Sequence, residues 1–245
     1  MVLRSRNLVQ RRSAISFDLG QTLVELDDAL LVEQANSQNF LLPQSRVAGE
    51  LAPAWQAYNL AKSQSQTGYA AWSAFMIKLL QNVGMSHQDG ERPVSASERE
   101  QFVRYLWSEQ PHRNLWRKPI AGIRELLIDL VTAAIPVGVL TNSEGRAKEL
   151  VDQVGFGSLV KSVVDSGLEG VEKPDPRIFH TLSERLGFPP EDIIHVGDSY
   201  EADVLGALGV GMTPIWFTGE ASVTLPPGVF LCHSVAELRR VLLPD

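Results

Sequence analysis

Residues 137–142 read VGVLTN, a short apolar run that stops at a hydroxyl and an amide. Four or five apolar residues, rich in β-branched types and too few for a helix, describe a strand buried on both faces. The design recurs at 14–18, AISFD, and at 193–198, IIHVGD, where the run stops at a carboxylate. Further apolar runs lie at 159–164 and 213–217. Helical patterns fall between them at 123–131, 144–154, 176–186, 200–208 and 235–243, with Asp175 as an N-cap and Pro176 at the first helical position. Strand and helix alternate, which predicts a parallel sheet covered by helices.

The pattern changes between the first strand and the second. Leu60, Trp72, Phe75, Ile77, Leu79, Leu80, Phe102 and Leu106 recur at helical spacing, with breaks at Pro43, Pro53, Gly68 and the polar stretch 86–97. Four or so helices are expected, without strands. The expected architecture is an α/β, Rossmann-like core domain made of 1–26 and 113–245, interrupted by an all-helical cap domain over 27–112. Trp55, Trp72, Trp107 and Trp116 fall in or beside that insertion; they could line a pocket, but aromatics at helical spacing are more often core.

Composition narrows the function. The 245 residues carry 22 basic and 29 acidic side chains, a net charge of −7, so there is no basic footprint for nucleic acid. The one cysteine, Cys232, cannot form an internal disulfide, which points to a reducing, cytoplasmic setting. No apolar run reaches the roughly 18 residues of a membrane span. Arg4, Arg6, Arg11 and Arg12 precede the first acid, Asp18. We read this segment as a solvated tail and not a targeting peptide, because the first apolar run begins at once and leaves little to cleave.

Open parallel sheets bind ligands at the carboxyl ends of their strands. Asp18, Thr141, Asn142 and Asp198 should therefore converge, and Lys173, in the loop before the 176–186 helix, can reach the same edge. With Asp203 added, the set is three carboxylates, a lysine, a hydroxyl and an amide. That chemistry suits Mg²⁺ held by carboxylate oxygen beside a phosphate ester. A carboxylate approaching a phosphate meets repulsion of ~4 kcal/mol per unit pair at ~4 Å and an effective dielectric of ~20, which a metal and Lys173 would offset. Asp18 could then act as nucleophile through an aspartyl-phosphate.

Plainer readings exist for each residue. Asp198 and Glu201 have capping-box spacing, Asn142 and Ser143 could be only an N-cap, and a lysine before proline is usually a surface charge. Asp198 and Asp203 would lie about 140° apart on one continuous helix, so a shared metal requires Asp198 to precede the helix. The histidines show no zinc-protease spacing, and there is no Gly-x-Ser-x-Gly elbow.

Four segments in order, FDLGQTLV, LTNS, EKPDPRIF and HVGDSYEADVLGALGVGM, resemble the haloacid dehalogenase-like (HAD) hydrolase superfamily, in the subfamily whose helical cap follows the first strand. The resemblance covers about 10–24 and 119–231. It implies Asp18 as nucleophile, Thr141 and Asn142 with Lys173 around the phosphate, and Asp18, the Gly20 carbonyl, Asp198 and Asp203 around Mg²⁺. It also implies a small phosphorylated substrate and a cap that closes over it.

One position departs from the pattern. The phosphatase form of the first motif carries a second aspartate two residues after the nucleophile, where this chain has Gly20, followed by Gln21 in place of the usual glycine. Losing a general acid costs about 10²–10⁴ in rate. A good leaving group such as an acyl phosphate, or a proton from Glu25, Asp27 or the cap, would compensate. The alternatives are an impaired relative that binds phosphate or a protein, and a dehalogenase, which needs neither acid nor metal but would leave Asp198 and Asp203 without a use.

Overall fold

The computed structural model describes residues 14–66, 68–90, 92–219 and 224–243; the arginine-rich segment lies outside them. Six strands form one parallel sheet: β1 Ala14–Phe17, β2 Val137–Thr141, β3 Ser162–Asp165, β4 Ile193–Gly197, β5 Thr213–Phe217 and β6 Phe230–Cys232. Their order in space is β6-β5-β4-β1-β2-β3, every pairing parallel. This is the doubly wound order with its reversal between β1 and β4, the point at which such sheets hold ligands.

Strand alternation divides the core into two layers. Ile15, Phe17, Val137, Val139, Ile194 and Val196 face one side, with Ile123, Leu126, Leu127, Leu130, Leu238 and Leu242 packed there from helices Ile123–Thr132 and Val235–Leu242. Ala14, Leu140, Val164 and Ile193 face the other, under Ile178, Phe179, Leu182 and Leu186 of the helix Pro176–Leu186. Asp175 caps that helix through the Arg177 amide and Pro176 opens it, as the sequence predicts.

Three expectations need correction. The 159–164 run starts its strand only at Ser162, because Leu159 closes a turn onto Phe156 and packs half-buried against the core. Helix 144–154 begins at Ala147. The 200–208 helix is a π-helix over Tyr200–Leu205 followed by a short α-helix, Gly206–Gly209. The strand β6, with only three residues, escaped the periodicity reading.

The chain separates into two compact units, Met1–Glu25 with Trp116–Asp245, and Leu26–Leu115. The second contains helices Asp28–Ser37, Leu51–Ser63, Tyr69–Val83 and Ala96–Glu109, with a short Gln44–Val47 turn of helix and a two-residue strand pair, Phe40–Leu41 with Ser86–His87. Ser95 and Glu98 form a capping box for the last helix. Pro53 does not break a helix; it sits in the first turn of Leu51–Ser63, where its missing N–H is not needed. Phe75, Leu79, Leu80, Phe102 and Leu106 are buried, but Leu60 is 61% exposed and is not core. Trp55 packs on Phe75 and Trp72 on Trp107, all three tryptophans half-buried. Val24–Leu26 pairs with Trp116–Pro119 in a two-stranded ribbon. Among the described residues, no helix is long and apolar enough to cross a membrane.

Candidate active site

The carboxyl ends of β1, β2 and β4 bring together the residues expected there. Asp18 follows β1, Thr141 ends β2, and Asp198 follows β4, in the loop immediately before Ser199. Asp198 thus lies ahead of the helical turn that carries Asp203, the arrangement a shared cation requires. Ser199, not Asp198, caps that turn, its hydroxyl accepting from the Ala202 amide at 3.2 Å. Ligand oxygens of Asp18, Asp198 and Asp203 all lie within 4.8 Å of one another.

Lys173 is the hub. Buried at 5% exposure, its Nζ donates to Asp18 Oδ1 at 2.6 Å, to Asp203 Oδ1 at 2.5 Å and to the Leu140 carbonyl at 3.0 Å. Burial alone would lower the lysine's pKa, but the Asp18 and Asp203 carboxylates outweigh it, raising it and keeping the ammonium charged. Burial pulls Asp203 upward too, yet Lys173 and His195 hold it well below the carboxylate range. Asp18 is raised by burial and by the charge of Asp203 against the opposing pull of Lys173. Asp198 is raised well above its ordinary value, by burial first and then by Asp18 and Asp203. A cluster of oxygen-only donors that resists its own negative charge is what a hard divalent cation fits.

Asn142 does not cap the helix that follows, whose cap position is Arg146. Its Nδ2 donates to the Lys173 carbonyl at 3.1 Å and its Oδ1 accepts from the Lys173 amide at 2.8 Å, so the amide braces the lysine loop. The segment after Thr141 is fastened by Asp165, whose oxygens accept from the Gly145, Ala147 and Gly167 amides. Gly167 approaches this segment so closely that a Cβ would lie 2.5 Å from the Gly145 nitrogen. Asp165 ends β3 as the other site residues end their strands, and that position was the signal for it.

Gly20 occupies open space, with nothing within 4 Å of where a Cβ would stand. Next to it Gln21 adopts φ 56°, the left-handed region that suits the usual glycine, and its Nε2 is buried without a partner among the described residues. The two acids nearest in sequence are engaged elsewhere: Glu25 pairs with Lys118 at 3.1 Å, and Asp27 caps the Asp28–Ser37 helix through the Leu30 amide at 3.0 Å. Thr22 is fully buried, and its hydroxyl finds no partner among the described residues.

Two residues were not singled out in the sequence. His195 and Ser16 are fully buried, with Ser16 Oγ 2.6 Å from His195 Nδ1 and His195 Nε2 3.1 Å from Asp203 Oδ1. Their signal was available: each is a polar residue inside an otherwise apolar strand run.

Residues 13–211 match the family model of haloacid dehalogenase-like hydrolases. A glyceraldehyde 3-phosphate phosphatase of Pyrococcus furiosus is 31% identical over 101 residues, a match spanning 41% of this chain and only 42% of that protein's length. The haloacid dehalogenase-like hydrolase domain-containing protein 3 of Bos taurus is 28% identical over 205 residues, 81% of this chain and 78% of that one. Among solved structures, a HAD-hydrolase of Bacillus subtilis bound to magnesium superposes with a TM-score of 0.68 over 95% of this chain and 99% of that one, at 20% identity. With the family model spanning most of the chain and the sheet order, strand-end acids and buried lysine in place, this protein belongs to the haloacid dehalogenase-like hydrolases.

Proposed function

We propose that the chain is a Mg²⁺-dependent phosphatase acting on a small phosphorylated metabolite. The observation that carries the reading is the Lys173 ammonium bound at once to Asp18 and Asp203, beside Asp198, at the strand edge that also presents Thr141. The phosphatase named among the relatives supports the same reaction class. Asp18, Asp198 and Asp203, with the Gly20 carbonyl, would hold Mg²⁺, which supplies neutralisation of phosphate charge.

The chain's own residues would do the rest. Lys173 occupies Asp18 Oδ1 and leaves Oδ2 to attack phosphorus. The Oδ2–P bond forms as the ester P–O bond breaks, and water then cleaves the aspartyl-phosphate, returning Asp18 and releasing phosphate. The Thr141 hydroxyl binds a phosphoryl oxygen, the Lys173 ammonium, its three N–H groups given to Asp18, Asp203 and Leu140, offsets the phosphate's charge, and Asn142 keeps the lysine loop in place. Gly20 has no proton to give the departing oxygen, and Glu25 and Asp27 are committed to Lys118 and a helix cap. A leaving group that needs no proton, such as an acyl phosphate, suits this site best.

The test is a screen of phosphate esters and acyl phosphates with Mg²⁺ or with chelator. Metal-dependent turnover that Asp18→Asn abolishes is expected. Silence across the screen would sink the reading. The bare Gly20 favours one rival, a relative that binds phosphate without useful turnover; a beryllofluoride adduct on Asp18 with no multiple turnover would select it. Halide release from 2-haloacids in chelator would select dehalogenation instead.

A further inference from the structure

We propose that His195, oriented by Ser16, is a positioning residue that fixes the carboxylate of Asp203 and, through it, the ammonium of Lys173; this rests on the site reading above. Strands β1 and β4 run side by side with Ser16 directly opposite His195 in register. Both point to the layer occupied by Ala14, Ile193, Phe179 and Leu182, a face where branched apolar side chains are the default. A hydroxyl and an imidazole buried there are costly unless each finds a hydrogen-bond partner. They find each other at 2.6 Å, and the imidazole continues to Asp203 at 3.1 Å. Phe179 lies edge-on to the imidazole, ring centroids 5.5 Å apart and planes at 85°, which sets the plane of the ring.

The purpose of this arrangement is legible at the carboxylate it reaches. Asp203 Oδ1 accepts from Lys173 and His195, and Oδ2 accepts from the Ser199 amide at 3.0 Å. Donors from three elements hold the two oxygens, so the carboxylate cannot rotate about its Cβ–Cγ bond without breaking one of them. The π-helical turn that carries Asp203 is a common mark of functional positions. Remove the imidazole and Oδ1 retains only Lys173. The carboxylate is then held by the Ser199 amide and Lys173 alone, and the seat of the ammonium between Asp18 and Asp203 loosens. An ionised carboxylate only accepts, so the arrangement requires a hydrogen on His195 Nε2.

That requirement gives the first test, made on metal-free protein. In ¹⁵N-histidine-labelled protein, with the His195 signals identified by their loss in His195→Gln, a long-range ¹H–¹⁵N spectrum should show Nε2 protonated. A bare Nε2 overturns the proposal. The second test reads Mg²⁺ affinity by calorimetry together with kcat/KM. His195→Leu should lower both by about 10- to 100-fold, and His195→Gln, whose side-chain N–H can occupy the Nε2 place, should restore most of that loss. A Leu variant that melts like the wild type and keeps its Mg²⁺ affinity and turnover overturns the proposal. So does a Gln variant as impaired as Leu, because the ring's packing would then be what matters. Should the Leu variant fail to fold, the wild-type spectrum and the Gln variant still decide. A wild-type protein that binds Mg²⁺ but hydrolyses no phosphate ester would sink the phosphatase reading alone, leaving the spectrum and calorimetry to judge His195.

Discussion

The two units bury different things. Ser16, Asp18, Thr22, Thr141, Asp165, Ser166, Lys173, Ser183, His195 and Asp203, the buried polar and charged residues of the α/β unit, have one counterpart among the described residues of the helical unit, Gln34. Five of these, Ser16, Asp18, Lys173, His195 and Asp203, bond into one network, whereas both amide atoms of Gln34 lack a partner among the described residues. The helical interior is held instead by rings and aliphatics, such as Phe40 on Phe102 and Trp55 on Phe75. One interior is organised to hold charge in fixed places and the other to fill space. Substitutions should divide accordingly, with chemistry changing in the first and stability in the second.

The largest effect expected comes from the open position in the α/β unit. Gly20→Asp places a carboxyl where nothing obstructs it and should raise phosphatase turnover by about 10²-fold or more, with little change in melting temperature. No gain in steady-state assays would mean that the missing acid is not the defect. Gly197→Ala should act the opposite way. Its Cβ would lie 2.2 Å from Asp203 Cγ, so the carboxylate must move, and a misplacement on the order of 1 Å costs about 10²-fold in turnover. Wild-type kinetics in this variant would show that the seat of Asp203 tolerates displacement.

In the helical unit, Gln34→Leu should stabilise by about 1–2 kcal/mol, because two unpaired buried polar atoms are removed, and thermal melting reads the gain. A fall in Tm would give Gln34 a use and break the contrast between the units. The smallest effect is expected from Asp198→Asn in chelator. The folded-state pKa of Asp198 is raised, so the folded protein holds more protons than the unfolded chain, and stability declines as pH rises from about 4. The variant should therefore melt above wild type at pH 8 and level with it near pH 3.5. Added Mg²⁺ should stabilise the wild type more than the variant at pH 8.

Strands that stop at polar residues made the α/β unit readable in sequence, since 14–18, 137–142 and 193–198 each name a strand and the group it delivers to one edge. Lys173 was legible only through its neighbours, and the bonds from the Asn142 side chain to the Lys173 backbone were not legible, because sequence does not tell which loop a side chain faces. Ser16 and His195 were hidden by the rule that made their strands visible: a run scored as apolar absorbs its polar exceptions. The π-helical turn at Tyr200 has no periodic signature over six residues, so an ordinary helix was the natural reading. In the helical unit, spacing located the helices but not their solvent faces, and Leu60, at helical spacing, is exposed.

The ribbon of Val24–Leu26 and Trp116–Pro119 bears on how such chains diversify. Because Val24–Leu26 and Trp116–Pro119 leave and return side by side, the sheet meets everything between them as a single long excursion, and lengthening an excursion raises its closure entropy only logarithmically. The helices between those strands can therefore be exchanged, shortened or rebuilt as a cassette, without shifting the register of the sheet that holds the acids.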